Sequence, residues 1–538
     1  MSNWVNESVF YHIYPLGFCG APEYNDGVQS YRLDKIVDWI PHLKELGINA
    51  VYLGPLFESS KHGYDTKDYY KVDARLGDNA SFKHICEELH KNDIKIVLDG
   101  VFNHVGREFW AFKDVQENGQ ASQYCDWFQN LNFGGGSPMG DAFWYEGWSG
   151  CYDLVKLNLR NGNVVNHLLD AVGMWIDDFG IDGLRLDAAD CIDLDFFRQL
   201  KNYCKSRKSD FWLMGEIIHG DYNRWANNET LDSVTNYECY KGNWSSHNDH
   251  NYFEIAHSLQ RQFANGGIYS HLCLYNFVDN HDVNRIADNC RDNRHLGNVY
   301  SLMYTMPGTP SIYYGSEWGI KGSRTNSSDA ALRPCINFGE IPDANNNLCE
   351  YLKKLGKIRH ALPALKYGNF ENKNIKNEQL VYERSFENQH VYIALNLNEN
   401  EQYVDFNLEN GFSKLTDTVS GQVFDVNGYA NIPVPANSTR IMVLNNGEFS
   451  LSSDDAGNAP CEYNSTLEPL KEVTPGRYKH FKGNEYEVIG VAENTETREA
   501  VVVYKDMQEH RLWVRPYNMF IELVQRDGKT YRRFDKLS

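Results

Sequence analysis

Four acidic residues in this sequence end apolar runs that read as strands. They are Asp99 in VLDGVFNH, Asp187 in GLRLDAAD, Glu216 in WLMGEI and Asp282 in FVDNHD. Arg185 lies two residues before Asp187, so on a strand the two side chains share a face. Such a pair in a buried run can be a structural ion pair, because a core does not tolerate unpaired charge. Four carboxylates on separate strands are harder to explain by stability, since like charges brought together repel and raise one another's pKa. A guanidinium beside one of them keeps it ionised, as a nucleophile must be. Two carboxylates in different environments, one ionised and one protonated, are the machinery that cleaves a glycosidic bond. Glu216, flanked by Met214, Ile217 and Ile218, is placed where an apolar environment would raise its pKa, as a general acid requires.

The acids act together only if a fold gathers them. Strand-like runs such as VFYHIYPLGF, INAVYLGPLF, KIVLDGVF, IDGLRLD, FWLMGEI, HLCLYNFVD and PSIYYGS alternate with amphipathic stretches such as YRLDKIVDWIPHLKELG and VVNHLLDAVGMWIDDFG. That beat implies parallel strands with right-handed crossovers, and about eight such units predict a closed α/β barrel of the (β/α)8 type. In such a barrel the C-terminal strand ends form the active face. No Gly-rich dinucleotide or phosphate loop follows any of these runs, which argues against an open doubly wound sheet. The stretch between the third strand and the helix near Val164 is rich in Gly and aromatic residues, and long insertions of this kind are usually functional. The expected organisation is a catalytic barrel over 1–103 and 161–364, interrupted after its third strand by an inserted subdomain over 104–160. A β-sandwich domain over 365–446, a linker over 447–470 and a small β-rich domain over 471–538 follow.

Bulk properties narrow the partners. The formal net charge of -21 over 538 residues disfavours nucleic acid and anionic membrane, which attract basic surfaces. A mean hydropathy of -0.56 and no long apolar run exclude a spanning helix. The start, MSNWVNESVFYHIYP, does not read as a secretory signal. The 12 cysteines show no CxxC pair or framework spacing, which fits a reducing cytosol. With 34 Tyr and 12 Trp, the chain has aromatics enough for sugar-stacking platforms as well as for a core.

DGVFNH, GLRLDAAD, GEIIH and FVDNHD resemble, in order and spacing, the four signature segments of the α-amylase family of glycoside hydrolases. HGYDTKDYYKVD and MPGTPSIYYGSEWG resemble two further family segments, and the resemblance covers about residues 7–445. It implies that Asp187 is the nucleophile, Glu216 the general acid/base and Asp282 the stabiliser of the transition state. His104 and His281 would hydrogen-bond the sugar, Tyr64 would stack under it, and Arg185 and Asp65 would complete that pocket, with Asp99 supporting from below. Asp329 and Arg333 resemble an acid and arginine used for sugars further from the cut. Asn103 matches a position where many members bind a structural calcium, and a hydrogen-bonded Asn fits it equally. No cofactor is required by this reading.

Three departures bear on specificity. AADCI follows the nucleophile where many starch-degrading members carry a lysine–histidine pair at the positions of Asp190 and Cys191. YDLVKLN and GEIIHGDYNRW resemble segments of neopullulanases and cyclomaltodextrinases. The barrel begins almost at Met1, so an N-terminal sugar-binding domain common in that group is expected to be absent. The favoured function is a cytoplasmic, retaining hydrolase of α-1,4 bonds in maltooligosaccharides, with oligomeric state left open. A glucanotransferase or glucoside isomerase would use the same triad. A non-catalytic glucan-binding relative would have lost part of it, whereas Asp187, Glu216 and Asp282 are all present. The C-terminal segment from PGRYKHFKGNEYEVIGV resembles a small bacterial domain of unknown function; its Trp513, Tyr517 and Phe520 could be a glycan platform or core packing.

Overall fold

The computed structural model describes residues 3–447 except 326, 327, 342 and 343, together with 449, 451, 473, 475–480, 484–493, 500–507, 512–521, 523–526 and 529–537. Eight strands form the barrel: β1 (Phe10–Ile13), β2 (Ala50–Leu53), β3 (Lys95–Gly100), β4 (Gly183–Leu186), β5 (Trp212–Gly215), β6 (Ser233–Val234), β7 (Tyr275–Phe277) and β8 (Thr309–Tyr313). Each pairs in parallel with its sequence neighbours, save β6 with β7, and β1 pairs with β8. A parallel bridge between Thr235 and Tyr275 joins β6 to β7 and closes the ring.

Most strand residues are buried on both faces, as expected where one face fills the barrel and the other packs on helices. Alternation separates the two sets. Phe10, Ala50, Tyr52, Val97, Trp212, Met214, Tyr275 and Phe277 form one apolar cluster, that of the barrel interior. The alternate strand residues, such as Tyr11, Val51, Leu98 and Leu184, belong to the larger core with helix residues such as Trp39, Ile85 and Trp175. Gly183 is required by this packing, because a Cβ there would lie 2.6 Å from the Trp212 carbonyl oxygen.

β6 is a strand that the hydrophobic pattern does not reveal: two residues long, it follows β5 through a 3-10 turn (Tyr222–Arg224) rather than a full helix. After β3 the chain leaves the barrel and builds a three-stranded sheet from His104–Gly106, Gly147–Trp148 and Cys151–Lys156, with helix Trp110–Asn118. It returns in helix Gly162–Phe179, capped by the Asn161 side chain and ended by Gly180 in the left-handed conformation.

Residues 369–445 form a six-stranded antiparallel sheet and a two-stranded one. They enclose a core that includes Val381, Tyr392, Phe406, Ile432 and Met442. Most of the linker expected over 447–470 lies outside the described residues; 447, 449 and 451 are described.

The C-terminal residues belong to a separate compact unit. Its five-stranded antiparallel sheet runs in the order Leu512–Pro516, Ala500–Asp506, Glu485–Glu493, Gly476–His480 and Phe534–Lys536, beside a hairpin of Leu523–Arg526 and Lys529–Arg532. Tyr517 and Phe520 lie in its core, where Phe520 stacks on Phe534 at 4.1 Å, while Trp513 stands exposed on an edge strand. The three therefore do not form one platform.

Candidate active site

Asp99 on β3 lies opposite Arg185 on β4, and Arg185 opposite Met214 on β5. One level higher, Asp187 and Glu216 leave the ends of β4 and β5. Their amides still bond into the sheet, to Gly100 O at 3.1 Å and Leu186 O at 2.9 Å. The sheet itself fixes the spacing of the acids.

Arg185 is buried and shared among three carboxylates. Its Nη1 donates to both Asp99 oxygens at 2.9 and 3.0 Å and to Asp187 Oδ1 at 2.9 Å. Its Nη2 lies 3.0 Å from Glu216 Oε2. Arg185 thus favours ionised Asp187 while also serving two further carboxylates. Burial, reinforced by the charges of Glu216, Asp99 and Asp282, pushes the Asp187 carboxyl well up, and Arg185 opposes this. Like charges gathered around one guanidinium disfavour the ionised form of Asp187.

The surroundings of Glu216 also differ from expectation. Both oxygens face polar donors: Arg185 and the Ala188 amide (3.1 Å) at Oε2, and the Tyr237 hydroxyl (3.4 Å) at Oε1. Ile218 points to solvent instead of covering the carboxyl. Ala188 can offer its N–H because it sits at φ 44°, in the left-handed region, a conformation that costs a non-glycine residue about 1–3 kcal/mol. That turn redirects the chain at the strand end and leaves Asp187 at the mouth.

Asp282 follows β7 on a turn held by Asn280, whose Oδ1 accepts from the amides of Asp282 (2.8 Å) and Val283 (3.1 Å). Its side chain, 37% exposed, lies 3.0 Å from His281 Nε2 and 3.2 Å from Arg333 Nη2. Burial works against ionisation, but His281, Arg333 and Arg185 together hold this carboxyl far below the usual range. Arg333 also pairs with Asp329 at 2.7 Å and lies 4.5 Å over the Tyr14 ring. Arg333 thereby links Asp329 to Asp282.

Tyr64 stacks parallel to His281 at 5.5 Å and its hydroxyl contacts His281 Nε2 and Asp99. Asp65 Oδ1 accepts from the amides of His62 (3.1 Å) and Gly63 (3.2 Å), fixing the hairpin tip that presents Tyr64. His104 Nε2 lies 3.9 Å from Asp187 Oδ2 and has no hydrogen-bond partner. Burial lowers its pKa to about 3, so the ring is neutral. The Asn103 Nδ2 group sits 3.1 Å from His104 Nδ1. With the Asn103 amide assigned as donor to Nδ1, the ring proton is assigned to Nε2, the nitrogen nearest Asp187.

That role bears on calcium at Asn103. Its side-chain nitrogen is engaged with His104, which leaves the amide oxygen as the atom a calcium ion would take.

Several contributors carry no readable sequence signal. Tyr52 donates to Asp99 at 2.9 Å from inside the barrel, Asn280 donates to the Tyr237 hydroxyl at 3.1 Å, and Trp148 stacks on His104 at 5.3 Å. Asp190 and Cys191 are exposed in the turn directly after Asp187. The arrangement offers two carboxyls bridged by one guanidinium, a third held ionised, a neutral imidazole donor and an aromatic platform.

Known proteins share this plan. The family described as "Alpha amylase, catalytic domain" matches residues 12–350, and that described as "Protein of unknown function (DUF1653)" matches residues 476–536. Neopullulanase 2 of Thermoactinomyces vulgaris is 32% identical over 463 residues, 78% of this chain and 74% of its own length. A cyclomaltodextrinase of a Bacillus species is 30% identical over 420 residues, 73% of each chain. A solved cyclomaltodextrinase structure superposes with a TM-score of 0.73 at 26% identity, over 82% of this chain and 79% of its own.

Proposed function

The chain belongs to the α-amylase family of glycoside hydrolases, and from that membership we propose that it cleaves α-1,4-glucosidic bonds of maltooligosaccharides with retention. The observation that carries the reading is the bridging of Asp187 and Glu216 by the two nitrogens of Arg185, at 2.9 and 3.0 Å. One guanidinium between two carboxyls is compatible with the separation of about 5–5.5 Å that double displacement uses.

Asp187 attacks the anomeric carbon while Glu216 gives its proton to the glycosidic oxygen, and the bond to the leaving sugar breaks. Glu216, now ionised, takes a proton from water, which attacks the glycosyl-Asp187 ester and frees the product. Asp282 accepts bonds from sugar hydroxyls, while His104 Nε2–H donates one and Tyr64 packs against the ring. The chemistry of Asp187, Glu216 and water needs no metal or redox partner. A maltooligosaccharide substrate agrees with the names of the relatives, and a cytoplasmic setting agrees with cysteines that lack framework spacing.

The test is product analysis with maltotriose to maltoheptaose, cyclodextrins and isomaltose, beside Glu216→Gln. Glucose and maltose from the linear substrates, lost in the variant, are expected. Products longer than the substrate would mean transfer to a second sugar, and no turnover of any of them would refute the reading.

A further inference from the structure

Apart from the carboxylates, a second concavity of about 660 Å³ falls in the size range of small-molecule sites. It lies between the hairpin Phe57–Ser59/Thr66–Val72, the start of helix Asn79–Lys91 and the start of helix Trp110–Asn118. None of the residues placed above at the active site lines it.

Its chemistry is specific. Trp110 is 40% exposed and is braced by near-perpendicular contacts with Tyr124 at 4.9 Å and Trp127 at 5.4 Å. Three carboxylates around it are oriented by backbone amides: Glu58 by Ala74 N (2.9 Å), Asp68 by Tyr70 N (2.9 Å) and Asp78 by Ser81 N (2.8 Å). Asn25 also donates to Glu58 (3.0 Å), and Gln29 (2.8 Å) and Tyr31 (3.1 Å) to Asp78, and each carboxylate still has a lone pair for a further donor. Two ammonium groups are held loosely, Lys67 at 3.7 Å from Glu58 and Lys71 at 3.4 Å from Asp68. Both distances exceed the roughly 2.7–2.9 Å of a committed charge-assisted bond. Preset acceptors, available donors and an open indole in a groove with more acids than bases fit a neutral, polyhydroxylated ligand with apolar ring faces. They repel phosphates and other polyanions.

We propose that this groove is a secondary binding site for an α-glucan chain, an inference that rests on the substrate class proposed above. The groove and the active site share one hairpin: strand Thr66–Val72 lines the groove, and the tip before it carries Tyr64 and Asp65. A chain held at Trp110 is thus retained beside the catalytic mouth between cuts.

Calorimetric titration of full-length Asp187→Asn with maltoheptaose tests it, since the nucleophile variant binds without turning over. Two binding events are expected. Trp110→Ala added to that background removes one event or weakens it by about tenfold, the value of one indole contact. Lys67→Met, on the exposed side of the hairpin, does the same and guards against misfolding of the tryptophan variant, which thermal melting checks. In the otherwise wild-type enzyme, Trp110→Ala leaves turnover of maltotriose unchanged. A single event indifferent to both substitutions overturns the secondary site while leaving the active site in place. Loss of all maltoheptaose binding would overturn the α-glucan reading with it.

Discussion

Asp99→Asn separates the roles of the shared charges. Asp99 and Asp187 each accept from Arg185 Nη1 at 2.9 Å, so the bonded oxygens lie at most about 5.8 Å apart. Two unit charges at that distance and an effective dielectric of about 20 repel by about 3 kcal/mol, or about two pKa units. Removing the Asp99 charge favours ionised Asp187 twice over, because a like charge disappears and Arg185 is released toward the carboxyls that remain. The Asp187 pKa therefore falls. The acidic limb of kcat/KM reports ionisation of the free enzyme, so on maltotriose it should move to lower pH by about one to two units. The plateau should also fall, since Asp99 no longer anchors the guanidinium from below. Thermal melting at each pH confirms that the limb is not set by unfolding. An acidic limb that stays in place or moves upward would refute the account of Asp187 as a nucleophile burdened by neighbouring carboxylates.

Other substitutions follow from the same geometry. Glu216→Gln should lower kcat on maltotriose about a thousandfold, with a smaller loss in the first step for glycosyl fluorides, whose leaving group needs no proton; equal losses on both would contradict its role as acid. Asn103→Ala should release the His104 tautomer and lower kcat/KM about tenfold, with a redistribution of the His104 ring nitrogen shifts in NMR. Unchanged shifts would remove the tautomer argument. A chelator should leave the melting temperature unchanged, because none of the groups proposed to act needs a metal; a fall restored by calcium would place a structural ion in the fold.

The barrel was legible because its strands are apolar on both faces and the acids interrupt them at their ends, as in KIVLDG and GLRLD. The sixth strand was not, since Ser233–Val234 offers two residues to a pattern that needs four or more. Among the functional residues, those that act through their own side chains at strand ends were readable. Those that act through tertiary placement were not: the Ala188 amide depends on a backbone angle, and Tyr237 meets Glu216 only once the barrel closes. Local sequence misled at one position: the isoleucines after Glu216 suggested an apolar pocket, yet Ile218 is exposed and the carboxyl meets polar donors.

The central claim, a covalent glycosyl-enzyme on Asp187, can be tested by trapping. Full-length Glu216→Gln is mixed with α-maltosyl fluoride, whose fluoride departs without protonation, so the intermediate forms but lacks the base that activates water. Mass spectrometry of the denatured, digested protein is predicted to find a maltosyl adduct on the peptide containing Asp187. An adduct on a different residue, or none despite release of fluoride, would contradict the mechanism.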